Sequence, residues 1–102
     1  MESKHPIKLN LQDVNGLQIL HLVVILDLKK AFQCLMLNRQ YLVIDSQDDN
    51  GWSPLHYAVF YGRKEMVYLL LQNGASKNKL NKNNKVPKDL SQDNQITKIL
   101  DQ

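Results

Sequence analysis

The chain has 102 residues, 43% of them hydrophobic and 23% charged, with a formal net charge of +3, a balance that fits one globular domain and excludes a disordered or fibrous chain. Its longest apolar stretch, Leu22 to Leu26, falls far short of the roughly 20 residues that span a bilayer, and residues 1–10 carry Glu2, Lys4, Pro6 and Lys8 where a signal peptide would be apolar. Cys34 is the single cysteine, which excludes an internal disulfide and a cysteine-based zinc cluster and fits an intracellular, reducing compartment, cytoplasmic or nuclear, with export as an effector left open.

In chain order, residues 1–12 form a lead-in, and Lys8 to Asp13 reads as a turn-rich finger with nothing helical before it. Gly16-Leu17-Gln18-Ile19-Leu20-His21 then lines up with Gly51-Trp52-Ser53-Pro54-Leu55-His56 at an offset of 35, with Asp13 falling on Asp48 and Asn15 on Asn50. This defines a first unit over residues 13–47. Within it Phe32, Leu35 and Met36 follow the i, i+3, i+4 spacing of a helix with one apolar face, and Cys34 on that helix is expected to be a buried small hydrophobe.

The second unit, residues 48–80, is the most regular. Ser53 is placed to cap a helix by accepting a backbone N–H, and Pro54 suits the first helical position because its missing donor would be unpaired there anyway. Gly62 is expected to close that helix at positive φ, where Gly is at little cost, and Asp27 occupies the equivalent place one unit earlier. Val67, Leu70 and Leu71 repeat the apolar spacing, and Gly74-Ala75 ends the second helix. A third, shorter unit covers residues 81–102: Val86-Pro87-Lys88-Asp89-Leu90-Ser91 matches Ser53 to Ala58 at an offset of 33, Asn81 replaces Asp48, and Asn84 stands where the turn glycine was. Ile96, Ile99 and Leu100 keep the apolar spacing if about four residues are deleted ahead of them.

A period near 33 with the core Ser53-Pro54-Leu55-His56-Tyr57-Ala58 resembles the ankyrin repeat, whose consensus core is T-P-L-H-x-A and in which a β-turn leads into two antiparallel helices. The resemblance implies an all-α fold: a solenoid of about three helix-turn-helix units with β-turn fingers between repeats, in a single domain whose last unit is a C-terminal cap. The first copy departs from the pattern at Gln18-Ile19, at Asp27 and at Arg39-Gln40, which replaces Gly-Ala, and it carries two extra residues before Asp45. Residues 78–86 are polar, yet their register makes them an ordered, mobile finger equivalent to residues 45–53. One such unit cannot bury its apolar face alone, and about three are needed for stability.

Candidate chemistry is sparse. The resemblance gives His21 and His56 a structural role, with the rings bonding within and between neighbouring turns, and Asp13, Asp45, Asp48 and Asp49 belong to turn tips where Asp bonds to nearby N–H groups. The four glycines, Gly16, Gly51, Gly62 and Gly74, are spread along the chain and build no phosphate cradle. No catalytic residue, metal site or cofactor is expected. Lys77, Lys79, Lys82, Lys85 and Lys88 form a basic run, but it lacks Arg and interleaved aromatics, so a solvated face is favoured over the steering of an acidic protein partner and over a nucleic-acid or acidic-lipid surface.

The resemblance also implies where a partner would bind: the turn tips and the exposed ends of the first helices, on the concave side. Those positions hold Asp49, Asn50, Trp52, Phe60 and Tyr61 in the second unit and Val14, Asn15, Leu17, Ile25 and Leu26 in the first. The set is heavily apolar, and a contiguous apolar patch of more than a few hundred Å² marks an interaction site. The competing reading partly buries Ile25, Leu26, Phe60 and Tyr61 under a neighbouring finger or under residues 1–12, and the exposure of Phe60 and Trp52 discriminates the two. The expected function is non-catalytic binding of a partner protein, as adaptor, inhibitor, host-directed effector or toxin-immunity protein. Apolar groups on Leu20, Leu22, Val23, Val24 and Leu28 exceed what one interface needs, so a weakly covered first repeat leaves self-association as a further expectation.

Overall fold

The computed structural model describes residues 18–102; the lead-in, the finger at residues 8–13 and the candidates Val14, Asn15 and Leu17 lie outside the described residues. Five helices follow one another: α1 (Ile19–Ile25), α2 (Lys29–Met36), α3 (Pro54–Phe60), α4 (Lys64–Gln72) and α5 (Asn94–Leu100). Short 3-10 turns occupy Arg39–Tyr41 and Pro87–Leu90. Among the described residues there is no strand, in keeping with the all-α expectation. α1 packs on α2 and α3, α3 on α4 and on the Pro87–Leu90 turn, and α4 on α5. The first helices of successive units therefore adjoin, each backed by its own second helix.

Local chemistry sets the helix starts. Ser53 Oγ accepts from His56 N at 3.3 Å and Pro54 opens α3, which satisfies one orphan donor and avoids wasting another. The first unit lacks Thr-Pro, yet α1 still begins at Ile19 with Gln18 as its N-cap residue. Both helix pairs turn through a left-handed residue, Gly62 at φ 69° and Asp27 at φ 59°. The same register places Gly51 at φ 79° and Asn84 at φ 60° in successive fingers, so both departures from Gly fall on residue types that tolerate this region.

The core runs through all three units: Leu20, Val24 and Phe32, then Leu55, Val59, Met66, Val67 and Leu70, then Ile96, Ile99 and Leu100. Leu35, Met36 and Leu71 are only partly buried at its edge. Cys34 is exposed, contrary to the expectation of a buried thiol. Two residues beyond the fully buried Phe32 the helix has turned by about 200°, so Cys34 looks outward.

The third unit is more contracted than its sequence suggests. Its first helix shrinks to the Pro87–Leu90 turn, with Pro87 buried and Lys88 exposed. Lys88, standing where a core Leu would be, instead pairs with Asp101 at the end of α5. In the first unit Arg39, replacing Gly, donates to Asn73 Oδ1 and to the Asn73 carbonyl, both at 3.0 Å. The lost turn glycine is thus replaced by a clamp on the end of α4.

The fingers are built on one repeated hydrogen-bond pattern. Asp48 Oδ1 accepts from Asn50 N and Trp52 N, both at 2.9 Å; Asn81 Oδ1 accepts from Asn83 N at 2.8 Å and Lys85 N at 3.0 Å. His21 Nδ1 accepts from Gln18 N at 3.1 Å while its Nε2 meets the Trp52 carbonyl at 2.9 Å. His56 Nδ1 accepts from Ser53 N at 3.0 Å and its Nε2 meets the Lys85 carbonyl at 2.9 Å. A carbonyl only accepts, so both rings are neutral with the proton on Nε2. Each ring thus bonds within its own turn and to the neighbouring finger.

Gly51 sits where an added Cβ would lie 2.8 Å from Lys82 N and 2.9 Å from Asn81 Cα. Gly51→Ala should therefore lower stability by more than the roughly 1–3 kcal/mol of a left-handed residue alone, whereas Gly62→Ala, with nothing within 4 Å of its Cβ, should incur the dihedral cost only. Urea denaturation of the two variants checks the difference.

His56 has a pKa lowered from 6.5, chiefly because burial disfavours the imidazolium, with the Lys85 carbonyl acting against this. The unfolded chain then takes up a proton before the folded one does, so stability is full above about pH 6.5 and declines as pH falls through that value toward the folded pKa. Denaturation midpoints measured from pH 8 down to about 5.5 should fall, and His56→Gln should reduce the slope.

Candidate functional site

A groove of about 310 Å³ opens between the finger tips and the exposed side of α3, lined by Asn50, Trp52, Tyr57, Phe60, Tyr61, Lys82 and Asn83. Its floor is aromatic. The Trp52 ring lies 4.8 Å from Tyr57 at 47° and 5.2 Å from Phe60 at 76°. Phe60 meets Tyr61 edge to face at 5.1 Å, and Tyr57 and Tyr61 stack at 6.3 Å. Offset and edge-to-face contacts are the favourable arrangements for aromatic quadrupoles, so the four rings hold each other in place while part of each faces solvent.

The spacing of α3 explains this cluster. Tyr57, Phe60 and Tyr61 stand at i, i+3 and i+4, which puts them on one helix face. That face is turned away from the core residues Leu55, Ala58 and Val59. Trp52 reaches them from the finger, where the Asp48 carboxylate and the His21 ring fix its backbone. Asp48 also ties finger to helix, because its Oδ2 accepts from the Tyr57 hydroxyl.

Of the sequence candidates, Asn50, Trp52, Phe60 and Tyr61 are brought together. Phe60 and Tyr61 are 45% and 46% exposed and Trp52 is half-buried. Asp49 is exposed at the finger tip but does not line the groove. Ile25 and Leu26 end α1; Leu26 is exposed, and the Ile25 carbonyl accepts from Arg63 Nη2 at 2.9 Å. The same guanidinium lies 5.9 Å from the centre of the Tyr61 ring, which links the end of α1 to the groove's edge. Leu17 lies outside the described residues.

Tyr57 and Asn83 were not among the sequence candidates, and Lys82 was named only within the basic run. Tyr57 fills the x of the T-P-L-H-x-A pattern, the one unassigned position in that core, and this could have marked it. Lys82 and Asn83 repeat Asp49 and Asn50 at an offset of 33, so extending the finger comparison to the third unit would have found them.

Two residues of the basic run already have partners. Lys88 is paired with Asp101, whose carboxylate raises its pKa, and Lys77 Nζ donates to the Gln102 carbonyl at 2.6 Å. Among the described residues no group of three or more His, Cys, Asp or Glu side chains is placed to hold a metal, and no helix is long and apolar enough to cross a membrane. A larger depression of about 480 Å³ lies between α4 and α5, with Tyr68, Leu71, Ala75 and Ile99 in its lining. It opens beside the shortened third unit and holds one aromatic ring against the four of the finger groove.

A family model for ankyrin repeats in three copies matches residues 3–81. Calmodulin-binding transcription activator 5 of Arabidopsis thaliana is 36% identical over 66 residues, 65% of this chain and 7% of that protein. Alpha-latrotoxin-Lg1a of Latrodectus geometricus is 35% identical over 63 residues, 62% of this chain and 5% of the toxin. An ankyrin and IPT/TIG repeat-containing protein of Schizosaccharomyces pombe is 33% identical over 82 residues, 80% of this chain and 7% of its own length. The chain thus spans less than a tenth of each of these relatives.

Tyr57→Phe removes the hydroxyl that Asp48 accepts from. Stability should drop by about 1.5–3 kcal/mol, the usual range for a bond to a charged acceptor, and the emission of Trp52, the one tryptophan of the chain, should change as its neighbour loosens. Chemical denaturation followed by fluorescence reads both.

Proposed function

The chain belongs to the ankyrin-repeat family, and from that premise we propose that it is a non-catalytic module whose finger-and-helix groove binds a partner protein. Ankyrin repeats are in general protein-interaction modules. The relatives bear the names of calmodulin-binding transcription activators and of a latrotoxin, names so different that a recognition surface is the property their shared segment can carry. The observation that carries the proposal is the cluster of Trp52, Tyr57, Phe60 and Tyr61 in one groove, since exposed Trp and Tyr held in fixed orientation are favoured binding anchors. On this reading Leu26 and the finger tips at Asp49 and Asn50 border the site. The chain acts as adaptor or inhibitor by occupying a partner's surface, in an intracellular setting.

Magnitudes bound how much the rings can do. Three aromatic side chains of roughly 150 Å² each would gain on the order of 11 kcal/mol if wholly covered. Phe60 and Tyr61 are 45% and 46% exposed, so only about half of that, roughly 5 kcal/mol, remains to be gained. Association costs an estimated 4–15 kcal/mol. The rings alone therefore give weak binding, and the polar rim must supply the rest.

A partner captured on the immobilised chain and then purified should bind the Trp52→Ala, Tyr61→Ala double variant at least tenfold more weakly in calorimetric titration, with far-ultraviolet circular dichroism unchanged. Equal affinity would refute the site.

A further inference from the structure

The geometry points to an acidic partner: a protein segment that sets an aromatic or large aliphatic side chain against Trp52 and Phe60 and places a neighbouring carboxylate on Lys82. This rests on the groove being the partner site, as proposed above. Lys82 is the charged residue in the groove lining. It is exposed, and the ion pairs of the described residues do not include it. Its backbone is fixed, since Lys82 N donates to the Asn50 carbonyl at 3.0 Å and Gly51 packs directly against it. The ammonium group therefore extends from a rigid base beside the aromatic floor.

The surrounding charges agree. Asp48, the carboxylate under the groove, already receives Asn50 N, Trp52 N and the Tyr57 hydroxyl, so its oxygens are occupied by the finger and by α3. Lys79 and Lys85 flank Lys82 on the same finger and enter no ion pair among the described residues. Asp49 occupies the equivalent tip of the preceding finger. A bound segment thus meets negative charge at one finger and positive charge at the next, and this polarity orients it with its acidic end over the third unit. The Asn50 and Asn83 side chains, also equivalent in the two fingers, lie in the lining to meet its main chain. A nucleic acid fits less well: Phe60 meets both Trp52 and Tyr61 edge to face, and Asp49 would repel phosphates along one side.

The test pans a random-peptide library displayed on phage against the full chain, then measures synthetic, labelled copies of the selected peptides by fluorescence anisotropy. Selected peptides should join an aromatic residue or Leu to Asp or Glu. Lys82→Glu should weaken them roughly fivefold or more, as should rising salt, while Lys82→Arg and the distant Lys98→Glu should leave affinity unchanged. Peptides that Trp52→Ala weakens but Lys82→Glu does not would overturn the acidic-partner inference and leave the groove standing. Peptides indifferent to both variants, or no selected peptides, would overturn both. Tighter binding of an oligothymidylate than of any selected peptide, lost in Lys82→Glu, would replace the acidic segment with a nucleic acid.

Discussion

Two neutral imidazoles hold this molecule in register. Each belongs to the first helix of one unit, accepts a backbone N–H at the start of that helix, and spends its other nitrogen on a carbonyl of the next finger, 31 residues away for His21 and 29 for His56. A single side chain thus satisfies a helix terminus and ties two units together, without any charge to desolvate. Proton uptake by either ring would set a second N–H against the backbone donor at Nδ1. The same burial that makes the ring a good tie makes its charged form costly.

The finger geometry follows from this tie. The Trp52 carbonyl accepts from His21 and from Asp48 N, at 2.9 and 3.0 Å, and the Lys85 carbonyl accepts from His56 and from Asn81 N at the same two distances. With the carbonyl held from two sides and the Asx side chain closing the turn, the residue that follows each tip has little freedom. In the second unit that residue is Trp52, and its ring is carried onto Tyr57 and Phe60. In the third unit it is Lys85, and no aromatic cluster forms. One scaffold therefore presents different chemistry at equivalent places, which is how a repeat array varies what it recognises without altering its core.

The departures from the repeat pattern are compensated one by one. Asp27 and Asn84 stand in for glycine at positive φ, as short polar side chains can. Arg39 takes over from a missing turn glycine by clamping the carbonyl and side chain of Asn73. Lys88 leaves the core and pairs with Asp101, at the cost of shortening a helix to a 3-10 turn. Each substitution is local, because every unit touches only its neighbours, so a defect in one is not passed through the whole array.

The period, the all-α class, the start of α3 at Pro54 and the left-handed residues at Asp27 and Gly62 could be read from the sequence. Each depends on the dihedral limits or hydrogen-bond needs of a few consecutive residues, and these are fixed before the chain folds. Asn50, Trp52, Phe60 and Tyr61 were legible as a set for the same reason, since equal positions in equal units share a face. Only the tertiary structure placed Tyr57, Lys82 and Asn83 beside them, turned Cys34 outward and contracted the third unit. Which side chains share a groove depends on how one finger sits against the next, and that register is set by bonds between residues some thirty positions apart, which no local pattern encodes.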